Sequence, residues 1–133
     1  MSAWRGIIFF KDEDGYKIIL RALVHYKKRL RTIRSSPELS GAAMFSQIIE
    51  QEAVKTHGKI EALIAKIPQY LTDSQCTDLA DEIPIFEKAL KSYRSDLLKA
   101  QSSEHEYYEK LIESHIIHNT EISTIDDALD KLQ

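Results

Sequence analysis

Six apolar side chains, Tyr16, Ile19, Leu23, Tyr26, Leu30 and Ile33, recur at alternating spacings of three and four residues. That spacing gathers all six on one stripe of an α-helix and splits them between both faces of a strand. Two further stripes repeat the pattern. One runs Leu39, Ala42, Phe45/Ser46, Ile49, Ala53, Thr56, Ile60, Leu63/Ile64 and Ile67. The other runs Phe86, Leu90, Tyr93, Leu97, Ala100, Glu104, Tyr107/Tyr108, Leu111, His115 and His118. Among 133 residues there are only four glycines and three prolines, too few for a sandwich or barrel with many tight turns. The predicted elements are therefore long helices, over 13–34, 37–67 and 85–118.

The punctuation agrees with these spans. Ser36 is a good N-cap ahead of Pro37, Pro68 marks the predicted end of the second helix, and Pro84 starts or kinks the third. A short C-terminal helix is expected within 120–133, at 124–132, capped by Ser123 with Ile125, Leu129 and Leu132 on its apolar side. A β-hairpin of 6–10 against 16–20 around Asp14-Gly15 competes for the N-terminal segment. The helical period through Ile33 decides for helix from residue 16, and leaves 5–10 open between strand and helix.

The predicted fold is all-α. Residues 1–133 form one helical-bundle domain, an antiparallel up-down-up arrangement of three long helices, with an apolar N-terminal segment at 1–12. The stripes are narrow and close to a heptad seam, like a coiled coil. The third helix outruns the first, which would leave the ends near Tyr70 and Phe86 uncovered. The C-terminal helix or a second copy in a homodimer would supply the cover.

The net charge of −3 conceals an asymmetry. Residues 1–34 carry nine Lys/Arg against three Asp/Glu, a balance of +6, and the remainder carries nine against eighteen, a balance of −9. Lys27, Lys28, Arg29, Arg31 and Arg34 form a basic patch on the flanks of the first helix. In an up-down-up bundle that end lies beside Glu104, Glu106, Glu109 and Glu113, so internal complementarity is the plain reading. An acidic protein partner comes next, and nucleic acid third.

Catalytic and cofactor patterns are sparse. The single cysteine, Cys76, makes neither an internal disulfide nor a multi-cysteine zinc site, and its acidic surroundings (Asp73, Asp78, Asp81) disfavour a thiolate. The four glycines form no phosphate loop, and Asp12-Glu13-Asp14-Gly15 lacks the glutamate of a calcium loop, since Arg21 stands there. Glu52 and Glu104 lie at one level of the bundle and lean toward its core. His115 and His118 share the inward stripe of the third helix. These four are weak metal candidates, because no glutamate has a histidine three residues on. His105 points outward, and His57 pairs with Glu61 at i, i+4 on an exposed flank beside Glu50.

The apolar tip Trp4, Ile7, Ile8, Phe9 and Phe10 must be buried somewhere, against its own bundle or in a partner. No apolar run approaches the ~20 residues of a membrane span and no secretory segment is evident, so a cytoplasmic protein is expected. The leading functional expectation is a non-enzymatic protein–protein interaction or assembly module without cofactor. It presents a helical face and the apolar tip to a partner or to itself. Nucleic-acid binding through the basic half of helix one is the alternative, and a ferritin-like metal-binding bundle the second.

Overall fold

The computed structural model describes residues 8–10, 13–32, 46–72, 79–102, 106–112 and 116–132. Every regular element among them is helical. They are α1 (Tyr16–Arg31), α2 (Ser46–Thr72), a 3₁₀ turn (Leu79–Glu82), α3 (Ile83–Ser102), α4 (Glu106–Leu111) and α5 (His118–Lys131), with residues 8–10 also helical. No helix among the described residues is long and apolar enough to cross a membrane.

α1 is the hub and packs on α2, α3, α4 and α5. Its predicted stripe supplies Ile19, Leu23 and Tyr26 to the core, joined by Ile18 and Ala22. Ile60, Leu63, Ile67 and Tyr70 come from α2. Phe86, Ala89, Leu90, Tyr93 and Leu97 come from α3, and Ile125, Ala128 and Leu132 from the end of the chain. The Phe10 ring lies 6.5 Å from Tyr70 near the end of α2, while Lys27 late in α1 reaches Glu61 at 3.5 Å. α1 and α2 therefore run in opposite directions. Phe10 also stacks on Phe86 near the start of α3, and His25 and Arg29 meet Asp96 further along it, so α1 and α3 run the same way.

The N-terminal segment settles differently from a hairpin. Residues 8–10 are helical, and Asp14-Gly15 turns the chain into α1. The Gly15 N–H donates to the Phe9 carbonyl at 2.8 Å. Asp14 takes φ 60°, a left-handed conformation that aspartate tolerates better than most residues. A Cβ on Gly15 would lie 2.4 Å from the Phe9 ring, so the absence of a side chain here is what lets the ring take this site. The outcome is that Phe9 (5% exposed) and Phe10 (1% exposed) enter this chain's own core. Phe10 covers Tyr70 and Phe86, the ends that the sequence left uncovered. Lys131 closes the turn from the far end of the chain. Its ammonium donates to Glu13 at 2.8 Å and lies 5.4 Å from the Phe9 ring centre. The hydrogen bond to Glu13, with help from Asp127, raises its pKa.

Three predicted boundaries are corrected. α2 continues through Pro68 to Thr72, because Tyr70, three residues beyond Ile67, extends the buried stripe. The burial of Tyr70 offsets the backbone bond that proline lacks. Thr72 Oγ1 then donates to the carbonyls of Pro68 and Gln69. The predicted third helix does not run through to 118, since Ile112 is no longer helical. α3 ends at Ser102, α4 spans only Glu106–Leu111, and residues 116–117 carry no helix. The C-terminal helix starts at His118, six residues before its predicted start, without a side-chain cap. That extension carries Glu121 into the interior, 5% exposed, where it meets α1 and α3.

Candidate functional site

Polar groups enter the core where α1, α3 and α5 meet. Arg21, His25 and Arg29 follow one another at four-residue intervals on α1, which aligns them on one face. Two carboxylates answer them, Glu121 from α5 and Asp96 from α3. Arg21 donates from Nε and Nη2 to the two oxygens of Glu121, both at 2.8 Å. The Tyr93 hydroxyl donates to Glu121 Oε2 at 2.6 Å. The hydrogen bonds to Glu121 raise the Arg21 pKa. One turn on, Asp96 Oδ2 accepts from His25 Nε2 at 2.8 Å and from Arg29 Nε at 2.9 Å. Since that oxygen accepts, Nε2 carries the imidazole hydrogen, and Nδ1 is left as an acceptor in the neutral ring. The His25 and Tyr93 rings lie 4.7 Å apart and tie the two sets together.

Asp96 is fully buried at 0% exposure and His25 is 4% exposed. Asp96 Oδ1 and His25 Nδ1 have no hydrogen-bond partner among the described residues. Unpaired buried polar atoms are costly.

Two clefts open beside this network. The outer one, of about 560 Å³, is lined by Lys28, Arg31, Thr32, Tyr107, Lys110 and Leu111. The Thr32 hydroxyl lies 3.1 Å from that of Tyr107, joining the end of α1 to α4. The inner one, of about 290 Å³, has aliphatic walls from Leu20, Val24, Ile112 and Ile116, with His25 and Tyr93 among its other lining residues. Lys28 and Leu111 line both, so the clefts adjoin. The two adjoining clefts thus differ, one bordered by cations and the other largely by aliphatic side chains.

The predicted basic patch is divided by this arrangement. Arg29 turns inward to Asp96, Lys27 pairs with Glu61, and Lys28 and Arg31 line the outer cleft. Arg34, Glu104 and Glu113 lie outside the described residues. The compensating acids that the structure does describe are Glu61 and Asp96, on α2 and α3.

Other predicted residues are placed as follows. Ile8 is 37% exposed, whereas Phe9 and Phe10 are core residues and present no apolar tip to a partner. Trp4, Ile7, Cys76, His105 and His115 lie outside the described residues. Glu52 does not lean inward; it is exposed and stands 4.0 Å from Lys55. His118 opens α5 rather than lining a third long helix. Among the described residues no group of three His, Cys, Asp or Glu is placed to hold a metal ion. His57 does sit 3.6 Å from Glu61, and Tyr108 is buried while Tyr107 is half-buried.

The sequence reading missed His25, Asp96 and Glu121. A signal existed for two of them. His25 follows Ala22 by three residues, and Asp96 follows Tyr93 by three and precedes Ala100 by four. Each is a polar residue at an apolar-stripe position.

Compared with known proteins, the chain matches no family model, and no curated protein or solved structure is similar to it at a significant level.

Proposed function

We propose that this chain is a non-enzymatic interaction module that docks an acidic segment of a protein partner at the outer cleft between α1 and α4. The observation that carries this reading is the convergence of Lys28 and Arg31 from α1 with Lys110 from α4 around a single 560 Å³ concavity. Lys28 and Lys110 also make contacts within the chain, and the positive charge gathered along this concave surface steers an acidic segment toward it. Leu111 in the same wall gives such a segment apolar contact as well.

Two measurements test it. A photo-crosslinking residue at Arg31 should capture an acidic partner in cells, and the same residue at Lys66, exposed on α2, should not. Equal yields from both positions would sink the proposal. An acidic peptide should bind the purified chain at low salt, weaken as salt rises, and be lost in Arg31→Glu/Lys110→Glu. If single-stranded oligonucleotides bind instead and acidic peptides do not, the alternative of nucleic-acid binding through helix one takes its place.

A second copy of the chain is the other partner this reading names. Its support is the outer face of α2, where Val54 is 73% and Ile48 60% exposed. Native mass measured by light scattering at micromolar concentration decides it. A dimer that Val54→Glu dissociates supports it, and a monomer removes it.

A further inference from the structure

We infer that the inner chamber receives one large apolar side chain of the docked acidic segment, so that the partner is recognised by an apolar anchor two helical turns from its acidic residues. This rests on the docking reading above and adds the anchor and its spacing.

Volume comes first. A dry protein cavity of about 150 Å³ takes a benzene ring. The inner chamber offers about 290 Å³, which has room for a phenylalanine-sized group. The walls come second. Leu20, Val24, Ile112 and Ile116 give aliphatic contact from three sides of the chain's course. Among the polar groups lining this chamber, Arg21 and Tyr93 bond Glu121 and His25 Nε2 bonds Asp96, while His25 Nδ1 has no partner among the described residues. An apolar occupant leaves these three bonds intact.

The route comes third. Lys28 and Leu111 belong to both clefts, so the two clefts adjoin and one docked segment can reach both. Along α1 the centre of Leu20 and Val24 lies between seven and eight residues before that of Lys28 and Arg31. At 1.5 Å per residue that is about 11 Å, the separation of positions seven apart on a helical partner. A helical segment with a large apolar residue at i and acidic residues at i+7 and i+8, in either chain direction, meets both clefts at once. Recognition by an amphipathic helix laid in a groove follows the same geometry.

The test uses the full chain and helix-stabilised peptides carrying one phenylalanine with two glutamates seven and eight residues away. Binding is read by fluorescence anisotropy at low salt. Replacing the phenylalanine by alanine should weaken binding roughly thirtyfold, the loss typical of a buried anchor. Moving the glutamates to three and four residues away should weaken it roughly tenfold. In the chain, Val24→Trp should reproduce the loss of the anchor. Val24 is 39% exposed, at the chamber's edge, so helicity by circular dichroism should be unchanged. If the alanine peptide and Val24→Trp both bind as tightly as the originals, the anchor is wrong while acidic docking stands. If no acidic peptide binds at all, both readings fall.

Discussion

The two ends of α1 are built on opposite principles. At its start Phe10 fills the space between Tyr70 and Phe86, stacked 5.9 Å from Phe86, and Tyr16 completes an aromatic cluster around it. Toward its end the interior holds His25 and Asp96, with Arg29 and the Arg21–Glu121–Tyr93 set alongside. Both ends are deeply buried, and at the polar end Asp96 Oδ1 and His25 Nδ1 have no hydrogen-bond partner among the described residues. Burying apolar surface is favourable wherever it is done, whereas burying charge recovers its desolvation cost only through good geometry. The apolar end is built for stability. The polar end fixes which residues of α3 and α5 face α1, and it adjoins the clefts where we place the partner.

The sharpest way to break this comparison is to remove one residue from each end. Phe10→Ala should cost about 3–5 kcal/mol through lost burial and the cavity left behind. Asp96→Leu should cost about as much, because it leaves the His25 and Arg29 donors without their acceptor. The two ends differ in how they are rescued. Phe10→Leu should recover more than half of the loss. At the polar end, His25→Leu/Arg29→Met/Asp96→Leu should return the chain to wild-type stability or above, since well-packed apolar groups often match a buried ion pair. Urea midpoints of the four variants decide it. A triple variant as unstable as Asp96→Leu would show that the polar network is itself a source of stability.

The turn into α1 tests the apolar end more gently. Gly15→Ala places a methyl group 2.4 Å from the Phe9 ring, so the ring must leave its site. We expect a loss of about 1–3 kcal/mol, the range for overpacking, with weaker near-ultraviolet dichroism. The companion Phe9→Leu/Gly15→Ala should lose less than the sum of the singles, because the shorter side chain removes the clash.

This contrast also explains what the sequence disclosed. The apolar end was readable because each residue obeys a local period: Ile19, Leu23, Tyr26, Phe86, Leu90 and Leu97 all lie on the predicted stripes and are buried. Its breaks were less readable. Proline normally stops a helix, but Tyr70 gains more from continuing the buried stripe than the chain loses at Pro68. The predicted stripe ran on to His118 although Ile112 and residues 116–117 carry no helix, because periodicity reports which face is apolar and not whether the helix is continuous. The site was hardest to read. Arg21, His25 and Arg29 belong together by spacing, but their acceptors Asp96 and Glu121 lie 71 and 100 residues from His25 and Arg21. Only the packed fold brings such partners to one place.

The smallest effect isolates one bond of the polar end. Tyr93→Phe keeps the ring beside His25 and removes only the hydroxyl that donates to Glu121 at 2.6 Å. Glu121 retains both Arg21 donors, so the carboxylate is not abandoned, and the loss should be about 1–2 kcal/mol, in the range of a hydrogen bond to a charged group. Adding Arg21→Met should cost more than the separate losses predict, because the two substitutions together strip Glu121 of every donor named here. A strictly additive pair in a urea-denaturation cycle would mean that Glu121 finds solvent when Arg21 goes, and that this part of the polar end is looser than its burial indicates.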